Sequence, residues 1–358
     1  MSTVWAYLQT WLDRIDPGAH RRIKGLRLVT AYGIAAALGT LRDISGDVPS
    51  NLALGTLAGN IALWASVSEG RSTRPTSSRD LTVLCVACAL GASSYVLCAP
   101  WLRPYGHAFP EIILAVGAFL VGYLKRYGIT GAGVGSQIYI GQLLAYNAKL
   151  TPMDMKAIGI ATCIAIVSSV VPRLLSGAAE QPPPPLLLPS AMATRYRILT
   201  PELVMGIQAA VASLLIVLLN GAYGLLESAW AITACVYVIA GTSSGTVDRV
   251  RRRIVGTLIG VPLGLACLPL ATDAPLLLWC AASLAMIIYA MALPERYDVA
   301  CGAFAFVLMV TLAVSGEHSM AVLFARAWET VLGCTLGLAA ASFLFPLRAK
   351  EEGKSVSP

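Results

Sequence analysis

The sequence predicts an all-α integral membrane protein of about twelve transmembrane helices, laid out as two tandem six-helix repeats with N- and C-termini cytoplasmic. Three observations predict it. Of 358 residues, 57% are hydrophobic and 13% charged, with a mean hydropathy of +0.71. A soluble domain needs about a quarter charged residues to wet its surface. The charges that exist punctuate apolar stretches of bilayer length, about 17–25 residues. Lys and Arg, finally, crowd onto alternate connections between those stretches, as topogenic signals do.

The elements follow in order. Residues 1–24 form a cytoplasmic interfacial segment, in which Val4, Trp5, Leu8, Trp11, Leu12 and Ile15 recur at helical spacing ahead of Arg21, Arg22 and Lys24. Such a stripe lies on a membrane surface or packs against the remaining protein. It lacks the continuous apolar core of a cleavable signal peptide. Apolar runs at about 26–41, 51–67, 80–99, 108–124, 130–147 and 155–175 make the first repeat, 25–176. A linker follows at 177–198, where Pro182, Pro183, Pro184 and Pro185 favour an extended, stiff connector. Runs at about 200–220, 228–243, 252–270, 274–293, 298–314 and 320–345 make the second repeat, 199–347, and 348–358 is a cytoplasmic tail. Gly131 to Gly135 and Val261-Pro262 read as breaks, tolerated where neighbouring helices satisfy the freed backbone.

Orientation follows from charge. With the N-terminus inside, the cytoplasmic segments hold 21 Lys and Arg, and the opposite side holds four, Arg42, Arg103, Lys149 and Lys156. That split fits an even number of spans. The halves also echo one another. Arg71, Arg74 and Arg79 precede the third span, as Arg249, Arg251, Arg252 and Arg253 precede the ninth. Val171-Pro172-Arg173 closes the sixth, as Phe345-Pro346-Leu347-Arg348 closes the twelfth. Repeats of six spans share one topology, so a two-fold pseudo-axis along the membrane normal is expected, with a binding site between the halves. Gly55 and Gly59, Gly256, Gly260 and Gly264, and Gly333 and Gly337 form small-residue faces for close helix approach.

A charge in hydrocarbon costs at least ~2.5–3.5 kcal/mol, so each invites an explanation. Glu329 lies about 13 Å below an outer boundary near residue 320, close to the midplane. Arg326 sits one turn above it on the same face. Glu329 reads as a proton-coupling carboxylate with Arg326 as an anion-binding or gating charge, or the two lock the last helix into the bundle. Asn60, Gln137, Tyr139, Gln142, Tyr237, Phe304 and Phe306 reach similar depth from other spans. Rings and amide donors together suit a planar aromatic acid, although ordinary interhelical bonding uses the same residues. Arg249, Arg251, Arg252 and Arg253, read as a loop, orient the protein and would draw anions to the cytoplasmic mouth.

Several classes are excluded. The net charge of +7 is not a basic face with interleaved aromatics, so nucleic acid is not a partner. Cys85 and Cys88 form a lone pair without a second pair or nearby His, and His20, His107 and His318 have no ligand spacing. No metal or cofactor is expected. No P-loop or catalytic triad motif occurs, so the chain reads as a membrane transporter rather than an enzyme.

Two stretches carry a family resemblance. One is Arg249-Val-Arg-Arg-Arg-Ile-Val-Gly256-Thr257-Leu-Ile-Gly260-Val-Pro-Leu-Gly264, and the other Arg326-Ala-Trp-Glu329-Thr330-Val-Leu-Gly333-Cys-Thr-Leu-Gly337. On these the chain resembles the fusaric acid resistance and aromatic acid exporter family of bacterial inner-membrane proteins. The resemblance implies proton-driven efflux of aromatic or other small organic acids, with a periplasmic adaptor protein in some members, and membrane lipid or further copies of the chain as other partners. Family members commonly carry a large cytoplasmic domain after each six-span block, where this sequence has a short linker and tail. Plant anion channels of the malate type look like distant relatives. A gated organic-anion channel, or an exporter of a siderophore or lipid-like metabolite on the same scaffold, are the alternatives.

Overall fold

The structure, a computed structural model, describes residues 19–41, 54–70, 73–176, 192–193, 199–267, 269–293, 295–314 and 320–349, with residues 7, 10, 13, 14 and 16 near the N-terminus. Most of the interfacial stripe and the proline run lie outside the described residues. Twelve helices of eleven or more residues are present among those described. They are α1 (His20–Gly39), α2 (Leu54–Ser68), α3 (Arg74–Leu102), α4 (Ile112–Tyr123), α5 (Gly128–Asn147), α6 (Met155–Leu175), α7 (Pro201–Tyr223), α8 (Ser228–Val238), α9 (Ser243–Ala266), α10 (Pro275–Ala292), α11 (Tyr297–Val314) and α12 (Met320–Phe343). A two-residue antiparallel pairing joins Met192 to Ala349 and Ala193 to Arg348.

The chain is a membrane protein. Five segments are long and apolar enough to cross a bilayer: Arg74–Tyr105, Phe109–Asn147, Pro152–Leu175, Pro201–Tyr223 and Pro275–Ala292. Leu90, Leu218, Leu258 and Leu277 are 62%, 68%, 62% and 63% exposed on their helices. Apolar surface of that kind, spread over many elements, is matched by lipid rather than water. The 39-residue segment Phe109–Asn147 is two antiparallel legs. Gly128 turns the chain at φ +75°, a conformation only glycine adopts freely. A Cβ at Gly135 would then lie 2.5 Å from the Leu120 carbonyl oxygen of the opposite leg.

Local signals set the helix starts. Pro stands in the first turn of α3, α7 and α10, where no donor is lost. The Thr242 hydroxyl accepts from Gly245 N at 3.1 Å and starts α9 there. Residues 248–253, expected as a loop, are therefore the second and third turns of a helix, and Arg74–Asp80 likewise belongs to α3. The expected breaks differ too. α5 runs unbroken through Gly131 to Gly135, and α9 through Pro262.

Packing repeats in the two halves. In the first, α3 lies on α5 and α6, α4 on α5, and α6 on α1 and α2; in the second, α9 lies on α11 and α12, α10 on α11, and α12 on α7 and α8. Between halves, α4 packs on α7, and α10 on α1. Glycines permit the closest approaches. A Cβ at Gly141 would overlap the Cys88 carbonyl of α3, and one at Gly260 the Gly302 carbonyl of α11. One at Gly333 would overlap the Ala231 carbonyl of α8.

Candidate functional site

Between the halves lies a cavity of about 2080 Å³, walled by α1, α2, α5, α8, α9, α10 and α11. Its middle is aromatic: Tyr32, Trp64, Trp230, Tyr237, Tyr289 and Phe304 all line it. Phe304 is the hub. Its ring centroid stands 5.5 Å from Trp64, 6.1 Å from Trp230 and 6.1 Å from Tyr289, the separations of edge-to-face and tilted pairs. One end of the cavity carries Asp248, Arg249, Arg252 and Glu295; the other carries Arg103, His107, Lys149 and Glu227; Arg253 and Arg326 both stand beside Trp230 and Phe304.

The basic end is built on the first turns of α9. Arg252 Nε pairs with Asp248 at 2.9 Å, and its Nη1 donates to the Glu295 carbonyl at 3.0 Å. Arg253 Nη1 donates to the Tyr297 hydroxyl at 3.2 Å. Arg249 Nη1 reaches the Ile239 carbonyl at 3.5 Å. Glu295, in the connection between α10 and α11, is hydrogen-bonded by Arg21, which holds its carboxyl below the usual glutamate range. Arg251 is exposed and does not line the cavity.

The opposite end turns on α8, a short helix whose start is buried. Its eleven residues span only about 16 Å. Glu329, nine residues into α12 and fully buried, accepts from Glu227 N through both oxygens, at 3.0 and 3.2 Å. A carboxylate thus sits at the positive end of the α8 dipole, about 13 Å along α12 from its start. Arg326 Nη2 pairs with the Glu227 side chain at 3.1 Å, and its guanidinium lies 4.8 Å from the Trp230 ring centroid. The two charges expected as neighbours on α12 are both tied to Glu227, one through its backbone and one through its carboxylate.

Of the residues expected at a site, Asn60, Tyr237, Phe304, Arg326, Arg249, Arg252 and Arg253 line the one cavity. Asn60 donates to the Thr56 carbonyl of its own helix at 2.9 Å. Tyr237 shares a 2.7 Å hydroxyl bond with Ser136 across the halves. Gln137, Tyr139 and Gln142 stand behind the wall. Gln137 Nε2 donates to the Trp64 carbonyl at 2.7 Å, Tyr139 bonds Thr233 at 2.8 Å, and Gln142 Nε2 donates to Ser94 at 3.3 Å. Phe306 packs on a separate apolar cluster with Leu278 and Val310.

Sequence reasoning missed Tyr32, Trp64, Trp230 and Tyr289, the other rings of the cavity's middle, and Glu227. It also missed two buried acids. Glu69 ties α1, α3 and α6, with Arg27 at 3.5 Å, Arg173 at 3.2 Å and the Ser77 hydroxyl. Glu111 takes donors from Tyr146 at 2.7 Å, Asn220 at 2.8 Å and Ser228 at 2.6 Å, joining α5, α7 and α8. Glu111 falls inside the 108–124 run, where an acid is an oddity; Glu69 lies just past the 51–67 run and carries no such signal.

Residues 211–340 match a family described as fusaric acid resistance protein-like. They take in α8 to α11 entirely, and with them Trp230, Arg253, Phe304, Arg326 and Glu329. Neither the curated proteins nor the solved structures contain a match.

Proposed function

We propose that this chain, with a fusaric acid resistance protein-like domain over residues 211–340 as its premise, is a secondary exporter of small organic acids, aromatic acids foremost. A membrane transport role is what that family supports. The finer reading rests on one observation above the others: a single cavity whose middle is six aromatic rings and whose ends carry arginines. Rings give a planar acid its stacking surface, and the arginines give its charge a partner. Convergent polar groups on an apolar cavity are the usual form of a small-molecule site.

The reading extends to organisation. The matched packing of α3, α5 and α6 with α9, α11 and α12, and of α4 on α7 with α10 on α1, supports twelve spans in two repeats about a pseudo-axis, with the cavity on that axis. The charge asymmetry supports cytoplasmic termini, with Arg249 and Arg252 at the cytoplasmic mouth of an inner membrane. Glu329 is the residue that couples transport to protons, beside Glu227 and Arg326.

A gated anion channel is the second reading, favoured by the reach of the cavity lining from Arg249 to Lys149. Counterflow of labelled benzoate in proteoliposomes, with a pH gradient and a membrane potential imposed separately, discriminates the two. Uphill movement that follows the pH gradient in the wild type and is lost in Glu329→Gln supports the coupled exporter. Downhill flux indifferent to gradient and substitution replaces it with the channel.

A further inference from the structure

Trp230, Arg253 and Arg326 line one small space in the second half. Nε1 of Trp230 and Nε of Arg253 are buried and have no hydrogen-bond partner among the described residues. Arg253 makes one hydrogen bond, to the neutral Tyr297 hydroxyl, and no carboxylate lies within ion-pair distance of it among the described residues. A guanidinium inside a helical bundle with no counter-charge is costly. It calls for an anion that comes and goes.

The space is a side pocket of about 30 Å³ between α8, α9, α11 and α12. Helical spacing builds it. Arg253 and Thr257 come from one face of α9, Arg326 and Thr330 from one face of α12, and Trp230 and Phe304 form the rim shared with the main cavity. A space that size holds about two water-sized atoms, which is the demand of a carboxylate's two oxygens. Of the charges nearby, Arg326 is matched by Glu227, and Glu329 by the backbone at the start of α8. Arg253 supplies the one positive charge left over. In the first half, where Gly91 of α3 stands at a close approach to α5 like that of Gly260 of α9 to α11, the same offset puts Leu84 where Arg253 is and Cys88 where Thr257 is. The pocket is asymmetric in chemistry even where the packing repeats.

We propose that this side pocket seats the carboxylate of the transported acid, with Arg253 pairing its charge and the Trp230 indole donating to it, while the substrate's ring lies among Trp64, Tyr289 and Phe304. The substrate class is then the aromatic monocarboxylate. The inference rests on the organic-acid reading above, and its test separates the two. Binding is measured calorimetrically on the full chain in lipid nanodiscs with benzoate, with benzamide as its uncharged isostere, and with phthalate as a dianion. Melting curves of Arg253→Gln, Arg253→Lys and Trp230→Phe establish that each folds.

The wild type binds benzoate at least about tenfold more tightly than benzamide or phthalate, since a hydrogen bond or pair to a charged group is worth about that factor or more. Arg253→Gln erases the preference for benzoate over benzamide. Trp230→Phe weakens benzoate about 10- to 100-fold and leaves benzamide nearly unchanged. Arg253→Lys keeps the preference at reduced affinity, because ammonium supplies charge without the planar fork. Folded Arg253→Gln and Trp230→Phe proteins that bind benzoate like the wild type overturn the seat and leave the export reading standing. Equal wild-type affinity for benzoate and benzamide also overturns the seat. A wild type that binds neither acid overturns both. Should Arg253→Gln fail to fold, Arg253→Lys and Trp230→Phe decide.

Discussion

Replacing Glu227 by Gln removes the carboxylate that answers Arg326 while keeping the side chain's shape and the backbone N–H that caps Glu329. The pair is 3.1 Å apart, and its side chains are 10% and 17% exposed. At that distance and an effective dielectric of about 20, the Coulomb attraction is about 5 kcal/mol before desolvation. Breaking one side of a pair so little exposed costs about 3–5 kcal/mol when fully buried, and the cavity on which both residues open lowers that to about 2–4 kcal/mol. The cation–π contact with Trp230 survives and retains about 0.5–2 kcal/mol. Melting in detergent should therefore fall by roughly 4–16 °C, at about 2–4 °C per kcal/mol for a chain of this order of size. An anion should restore what the substitution took, because a ligand at a hundred times its Kd returns about 2.7 kcal/mol. The side pocket of the variant has one carboxylate fewer beside its arginines, so phthalate should stabilise it more than benzoate does, the reverse of the wild-type order. A variant that melts with the wild type and still prefers benzoate would refute both the pairing and the charge count.

Two further outcomes are expected. Gly141→Ala puts a methyl into the Cys88 carbonyl and 2.8 Å from Ala92 N, so α3 and α5 must part at a cost of about 1–3 kcal/mol or more; Gly159→Ala in α6, with nothing within 4 Å of the new methyl, should instead leave stability to thermal melting unchanged or raised by about 0.5–1 kcal/mol. Arg249→Gln at the basic mouth should slow benzoate entry at low ionic strength, and the difference from wild type should vanish in flux assays near 1 M salt, where the Debye length is about 3 Å.

The helices were legible because lipid imposes a simple rule on sequence, about twenty apolar residues between charged or glycine- and proline-rich connections. That rule failed where two demands met. Five charged residues in 248–253 suggest a connection, yet Thr242 caps a helix that holds them through its second and third turns. The signal was present in Thr242-Ser243-Ser244, a run of capping residues ahead of Gly245. Aromatic roles were less legible. Trp101 is 80% exposed on the lipid face while Trp230 lines the cavity, and hydropathy treats the two alike. Arg326 and Glu329 were conspicuous as charges in an apolar run, but Glu227 lies about a hundred residues away in an unremarkable turn. Nothing local couples residues so far apart; the fold of α8 against α12 does it.

The charges around the side pocket also constrain what can drive export. A monocarboxylate leaving a negative interior gains about 2.3 kcal/mol per 100 mV from the membrane potential alone, so Arg253 need only bind it long enough for passage. In the proposed exporter Glu329 acts on that binding through its charge. It stands one turn from Arg326 on α12, and its carboxylate is held by two hydrogen bonds from Glu227 N. Neutralising it removes a negative charge beside the seat and strengthens the hold on an anion, whereas restoring the charge weakens it. Glu329→Gln fixes the neutral condition while keeping one oxygen to accept from Glu227 N. It should bind benzoate more tightly than the wild type and release it more slowly. In the proposed exporter the proton at Glu329 sets how tightly the anion is held, so uphill export follows the pH gradient and the potential adds to it.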